Sequence, residues 1–77
     1  MDKFSKFVAK LDLHMQARVL GAALAIEGNT WQGLDIKPLQ GRKNHFRCRI
    51  GDVRLLFVRL APRQYKVIAA GFRGNIY

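Results

Sequence analysis

The run FRCRIGDVRLLF at residues 46–57 limits the possible folds more than any other part of the sequence. Apolar residues alternate with other residues on both sides of a Gly-Asp pair, which is the period of a β-strand rather than of a helix. Gly-Asp between two such segments predicts a hairpin with a two-residue turn of type II′, in which Gly51 takes the first central position. In that register Arg49 lies directly opposite Arg54.

This register divides the hairpin side chains into two faces of opposite character. One face is entirely apolar and predicts the side that helices cover: Phe46, Cys48, Ile50, Val53, Leu55 and Phe57. The other face gathers the basic residues with two apolar ones: His45, Arg47, Arg49, Arg54, Leu56 and Val58. Like charges directly opposite each other destabilise a sheet by up to about 1 kcal/mol. The arginines either extend into solvent or share an anion, and the bidentate fit of guanidinium to phosphate favours the anion-binding surface.

Two amphipathic helices are predicted before the hairpin. Apolar residues recur at helical spacing from Lys3 to Leu11, with lysines on the opposite side. Asp12 can cap a second helix over residues 13–26, and Gly28 with Asn29 ends it. Helices joined by so short a link form a helical hairpin, here over about residues 3–27.

The remaining segments are predicted as a connection and a third strand. Residues 28–44 carry glycines, a proline and polar residues, which indicates an irregular connection. Its expected anchors are Trp31, Leu34, Ile36 and Leu39. The third strand covers residues 65–72, and the predicted register places Leu60 opposite Tyr65. In this register the helix side gains Ile68, Ala70 and Phe72. The arginine side gains Val67, Ala69, Gly71 and Arg73. The predicted fold is a single α+β domain over residues 1–77, ordered ααβββ, with a three-stranded antiparallel sheet over about 45–73.

Charge and cysteine content narrow the classes of function. Fourteen Lys and Arg against five Asp and Glu give a net charge of +9, which indicates an anionic partner. The single cysteine, Cys48, excludes an internal disulfide and favours a reducing cytoplasmic setting, with Cys48 as a core residue. No apolar run approaches the roughly 20 residues of a spanning helix, so no membrane partner is expected. No residue cluster indicates a cofactor, a metal site or a Ser-His-acid triad.

Three segments, taken together, resemble the RelE/ParE superfamily of type II toxins. These segments are KPLQG at 37–41, the hairpin run at 46–57 and GFRGNIY at 71–77, and the N-terminal KFSKFVAKLD is similar to the family's first helix. The resemblance implies a small antiparallel sheet with a helical hairpin on one face and the active surface on the other. RelE-like members cleave messenger RNA on the ribosome, ParE-like members poison DNA gyrase, and a cognate antitoxin holds either kind inactive. The residues that the resemblance assigns to the catalytic surface are Arg47, Arg49, Arg54, Arg73 and Tyr77.

Departures from the family pattern affect the expected chemistry. The family's usual first strand, which precedes the first helix, is missing. A sheet edge is then either open or filled by a partner strand. Arginine stands where RNA-cleaving members often have lysine, and arginine is a poor general base because it stays protonated. Tyr77 and His45 are then the candidate proton acceptors. His45, Arg42 and Lys43 are further candidates for RNA contacts.

The sequence therefore predicts a ribosome-dependent mRNA endoribonuclease, the toxin of a toxin–antitoxin system, with antitoxin, ribosome and mRNA as partners. Two alternatives stay open. One is a gyrase inhibitor of the ParE kind, and the other is a relative that binds RNA without cleaving it.

Overall fold

The computed structural model describes residues 3–72 and has two helices beside a four-stranded antiparallel sheet. The helices are α1 (Lys3–Ala9) and α2 (Leu13–Glu27). The strands are β1 (Asp35–Pro38), β2 (His45–Ile50), β3 (Val53–Ala61) and β4 (Gln64–Phe72), and they lie side by side in chain order. The predicted α+β class is confirmed.

The helical hairpin forms where the sequence predicts it. Asp12 caps α2 by accepting a hydrogen bond of 2.8 Å from the backbone N–H of Met15 to its Oδ1. At the other end the Gly28 N–H donates to the carbonyl of Leu24 at 2.8 Å, and Asn29 takes a left-handed φ of 60°. Both ends of α2 thus have hydrogen-bond partners for backbone groups that the helix itself leaves unsatisfied.

The β2–β3 hairpin has the predicted register, with Arg49 opposite Arg54 and Phe46 opposite Phe57. Gly51 has a φ of 57°, the value that a type II′ turn requires of its first central residue. Alternating apolar residues on both sides of a turn that favours glycine fix this register, because a shift by one residue would move the apolar residues of the helix side, such as Cys48 and Ile50, to the opposite face.

The sheet contains one strand more than predicted. Part of the 28–44 segment, expected to be irregular, forms β1 and pairs with β2, placing Asp35 opposite Arg49 and Pro38 opposite Phe46. Four residues that include Asp and Pro give almost no strand signal. Proline is tolerated here because β1 is an edge strand and Pro38 is its last residue. The prediction of three strands was therefore wrong.

The second hairpin also differs from its predicted register. Tyr65 pairs with Arg59 instead of Leu60, and the turn has two residues, of which Arg63 takes a φ of 64°. Bulges lie between Leu56 and Phe57 and between Arg59 and Ala61. The first bulge leaves Ile68 without a partner, so Val67 faces the helices rather than the arginine side. Ala70 and Phe72 face the helices as predicted. Ala70 lies opposite Leu55, and the ring of Phe72 makes an edge contact with that of Phe7, with 5.0 Å between the ring centroids.

The core lies between the two helices and one face of the sheet. Its buried members are Val8, Val19, Ala22, Ile26, Cys48, Ile50, Val53, Leu55 and Phe57. Trp31 extends the core as an anchor, since its ring centroid lies 4.6 Å from that of Tyr65 and 5.4 Å from that of Phe57. Its indole Nε1 donates to the carbonyl of Ile26 at 3.4 Å, which joins the end of α2 to the sheet.

The outer edge of β4 is partly closed by a side chain of α2. The backbone N–H of Val67 donates to Oε2 of Glu27 at 3.0 Å. A carboxylate on an edge N–H reduces the tendency of the edge to pair with another chain.

Candidate nucleic-acid interface

The sheet face opposite the helices carries Arg47, Arg49, Arg54 and Leu56, and we call it the arginine face. Arg47 and Arg49 are alternate residues of β2, while Arg54 and Leu56 lie opposite them on β3. Leu56 and Arg54 are buried, yet neither belongs to the core cluster under the helices. The three arginines are therefore neighbours on one surface, as the hairpin register predicts, but their environments differ.

Arg54 is held inside the hairpin. It is only 7% exposed, and its Nη1 donates to the carbonyl oxygens of Gly51 at 2.9 Å and of Val53 at 3.2 Å. The guanidinium thus folds back on its own turn and stabilises the turn with charge-assisted hydrogen bonds. Its predicted catalytic role remains a prediction, and its hydrogen bonds indicate a structural role in addition.

Arg47 is paired with an acid that the sequence analysis did not connect with it. Its Nη1 lies 3.6 Å from Oδ1 of Asp35 and 3.5 Å from the Asp35 carbonyl oxygen. The Arg47 side chain is 16% exposed and that of Asp35 is 51% exposed, so the pair lies at the surface. Asp35 lowers the positive potential beside Arg47 without removing it, because solvent around the half-exposed Asp35 carboxylate screens the pair.

Arg49 is the exposed cation of the arginine face. Within residues 3–72 its guanidinium makes neither a hydrogen bond nor an ion pair, and it lies across the ladder from Arg54. Two guanidiniums on adjacent strands repel each other unless an anion lies between them. Among the described residues of this face, Arg49 is accordingly the side chain best placed to bind a phosphate oxygen.

The other predicted RNA contacts lie at the far end of β2. His45 begins the strand, four residues from Arg49, which is about 13 Å along an extended chain. Its Nδ1 lies 2.7 Å from the carbonyl oxygen of Lys43. Because a carbonyl oxygen can only accept a hydrogen bond, Nδ1 carries the hydrogen and donates it. Nε2 is then the ring nitrogen that can accept a proton. Arg42 and Lys43 are exposed in the tight loop between β1 and β2. His45 is only two residues, about 7 Å, from Arg47 on the same face, so this loop lies at one end of the arginine face.

Two of the predicted catalytic residues, Arg73 and Tyr77, lie outside the described residues. Their assignment to the site stays a prediction. The last described residue, Phe72, pairs with Val53 at the turn end of β3.

The described residues offer no metal site and no activated thiol. Among residues 3–72, no group of three or more His, Cys, Asp and Glu side chains is placed to hold a metal ion. Burial raises the pKa of the Cys48 thiol, Asp35 raises it further, and Arg47 opposes them. Cys48 is therefore a protonated core residue rather than a nucleophile.

One cation near this surface was missed in the sequence. Arg18 of α2 lies close to the β2–β3 turn, with its Nη1 3.9 Å from the position that a Cβ on Gly51 would take. No signal in a single sequence pairs a helix residue with a turn some thirty positions later. The Arg47–Asp35 pair was missed because Asp35 was assigned to an irregular segment.

Comparisons with known proteins support the fold alone. No family model and no curated protein matches the chain. Its fold is similar to that of a chain in the RelB–RelE antitoxin–toxin complex from Methanococcus jannaschii, with a TM-score of 0.79 at 20% sequence identity, over 100% of this chain and 92% of the other. In the part of the chain that the structure describes, neither helix is long and apolar enough to span a membrane.

Proposed function

We propose that this protein is the toxin of a type II toxin–antitoxin system and acts as a ribosome-dependent mRNA endoribonuclease. The observation that carries the proposal is the arginine face, where Arg49 is exposed beside Arg47 and Arg54 on a fold similar to a chain of the RelB–RelE complex. Cleavage by the adjacent 2′-hydroxyl passes through a phosphorane whose extra negative charge must be stabilised. A guanidinium supplies that stabilisation in a geometry that matches phosphate oxygens.

The proposed roles follow from what each group can do. Arg49 contacts the scissile phosphate directly, and Arg47, held by Asp35, adds positive potential beside it. Neither accepts a proton, because a guanidinium stays protonated. The proposed acceptor of the 2′-hydroxyl proton is His45, through Nε2, or Tyr77, and water or the other of these two groups protonates the 5′-oxygen as it leaves. The base must reach the 2′-hydroxyl next to the scissile phosphate, so His45 can serve only a phosphate that binds between it and Arg49 on the same face of β2.

The proposed antitoxin contact is the outer side of the helical hairpin. Leu13 and Leu24 are 81% and 75% exposed, and Leu20 with Phe4 and Val67 lines an apolar groove of about 440 Å³ between the helices and β4. Exposed apolar surface of this kind is unusual on a small monomer and marks an interaction site. The net charge of +9 favours an acidic partner, so an amphipathic acidic antitoxin segment fits both properties.

Cleavage on programmed ribosomes tests the proposed activity. Wild-type protein should cut the message, and Arg49→Ala should slow cleavage by about 10²- to 10³-fold, the usual effect of losing one group that stabilises transition-state charge. Arg49→Lys should be intermediate because it keeps the charge and loses the bidentate geometry. Lys6→Ala is the matched control, since it removes one positive charge from the exposed side of α1. Wild-type protein that leaves the message intact would contradict the endoribonuclease.

One specific observation favours a second candidate, the relative that binds RNA without cleaving it. Arg54 and Arg47 already have protein partners, which leaves a single unengaged arginine on this face within residues 3–72. That candidate predicts salt-sensitive RNA binding with no message cleavage and no growth arrest. A DNA supercoiling assay on the same preparation would identify a gyrase inhibitor.

A further inference from the structure

We propose that Arg18 and Arg49 together form a second phosphate subsite, which binds a phosphodiester of single-stranded RNA in the cleft between α2 and the turn end of β2. The proposal rests on the proposed function in one respect, namely that the ligand is RNA. The subsite lies on the flank of the molecule and extends the contact surface from the arginine face onto the helical side.

The cleft joins cations from two different elements. It has a volume of about 330 Å³ and is lined by Arg18 from α2 and Arg49 from β2, with Gly21 and Gly33 among its other lining residues. A Cβ built on either glycine would meet no heavy atom within 4 Å, so the wall is open where the glycines lie. A cleft of this volume has room for a phosphate group, and a guanidinium that lines it can bind the two non-bridging oxygens.

The positive charges of the cleft are only partly balanced by the protein. Within residues 3–72 Arg18 makes no ion pair, and its recorded hydrogen bond is a weak one of 3.6 Å from Nη1 to the sulfur of Met15. Arg49 is likewise without an ion pair there. The carboxylate of Asp35 lines the same cleft, but it is already 3.6 Å from the Arg47 guanidinium. Asp35 also lies opposite Arg49 in the ladder, so a single carboxylate is shared among Arg47, Arg49 and Arg18. The excess of positive charge along the cleft attracts an anion.

Arg49 connects this subsite with the arginine face. It lies across the ladder from Arg54 and also lines the cleft with Arg18. An RNA strand on the arginine face can therefore place one phosphate at Arg49 and continue around the end of the sheet toward α2. The helical hairpin then takes part in RNA binding through one specific residue.

The test measures binding of a labelled single-stranded RNA hexanucleotide by fluorescence anisotropy at several salt concentrations. Arg18→Ala should weaken binding about 5- to 20-fold and reduce the slope of log K against log salt by about 0.7, the value for one lost phosphate contact on a single strand. Gly21→Glu places a carboxylate at the cleft while keeping both arginines, and its helical position has room for a side chain. It should weaken binding at least as much.

Matched controls separate the subsite from net charge. Lys6→Ala loses one positive charge on α1, and Ala9→Glu adds one negative charge at the exposed end of α1, away from the cleft. Both should bind within about twofold of wild type at physiological salt, where the Debye length is about 8 Å. Circular dichroism of each variant checks that the fold is kept.

The outcomes distinguish this proposal from the proposed function. If Arg18→Ala and Gly21→Glu bind like the controls while Arg49→Ala is weakened, the subsite is refuted and the arginine face stands. If binding depends on Arg18 but programmed ribosomes leave the message uncut, the subsite is supported and the endoribonuclease is refuted. Wild-type protein that does not bind the hexanucleotide at low salt overturns the subsite, whatever the ribosomes show.

Discussion

Replacing Arg54 should lower the free energy of unfolding. Replacing its neighbour Arg49 on the same face should leave the free energy of unfolding nearly unchanged. Methionine is the chosen substitute because it keeps an unbranched apolar stem in the space that Arg54 fills. Arg54→Met removes the Nη1 donor that binds the carbonyl oxygens of Gly51 at 2.9 Å and Val53 at 3.2 Å. Hydrogen bonds that involve a charged group contribute about 1.5–3 kcal/mol.

The expected magnitude lies at the lower end of that range. One nitrogen serves both carbonyl oxygens, so the two contacts do not add as independent bonds. Gly51 is exposed, and water can take the place of the guanidinium at its carbonyl oxygen. Removing a buried charge also returns some of the desolvation cost. We expect the free energy of unfolding to fall by about 1.5 kcal/mol, which lowers the melting temperature of a chain of this size by about 6–12 °C.

Urea denaturation followed by circular dichroism measures this effect. For an m-value near 1.5 kcal/mol per molar, the urea midpoint of Arg54→Met should drop by about 1 M. Arg49→Met should stay within about 0.5 kcal/mol of wild type, because Arg49 is exposed and unpaired in the described structure. Equal midpoints for the two variants would refute the structural role of Arg54.

Three further substitutions test other parts of the structure. Asp12→Ala removes the cap on the Met15 N–H and should lower the free energy of unfolding by about 1 kcal/mol, whereas Gly21→Ala should raise it by about 0.5–1 kcal/mol, because Gly21 lies within α2 and has room for a methyl group. Thermal unfolding by circular dichroism measures both, and a shift of the opposite sign in either variant would contradict the helix assignment. The third substitution, Cys48→Ala, tests the dependence of stability on pH. Burial raises the pKa of the Cys48 thiol, so the folded state keeps the thiol protonated. The stability that the thiol contributes is full below the pKa of the unfolded thiol, about 8.5, and is lost as pH rises above it. Urea denaturation at pH 7.5 and 9.5 should therefore show a larger loss of stability in wild type than in Cys48→Ala, and equal losses would exclude the thiol as the cause.

Local patterns predict the elements whose determinants are close in sequence. The β2–β3 hairpin follows from alternating apolar residues around a Gly-Asp turn, and its register was predicted residue by residue. The start of α2 follows from Asp12 as a cap. In each case the residues that fix the geometry are neighbours along the chain.

The parts that were missed depend on partners far away in sequence. The strand β1 exists because β2 offers it an edge, and DIKP alone gives no such signal. The bulge at Ile68 changes which side of β4 faces the helices, and strand periodicity assumes that no bulge occurs. Alternation assigns Arg54 to a face correctly but does not show that the guanidinium returns to the turn backbone.

The position of Trp31 gives the protein an internal optical probe. It is the only tryptophan of the chain, and its ring packs against Phe46, Phe57 and Tyr65 on the helix side of the sheet. Its emission should therefore report exposure of this aromatic cluster and stay unchanged when a ligand binds to the arginine face on the opposite side. Intrinsic fluorescence of Trp31 can thus distinguish unfolding of the protein from ligand binding to the arginine face in one sample, without an attached dye.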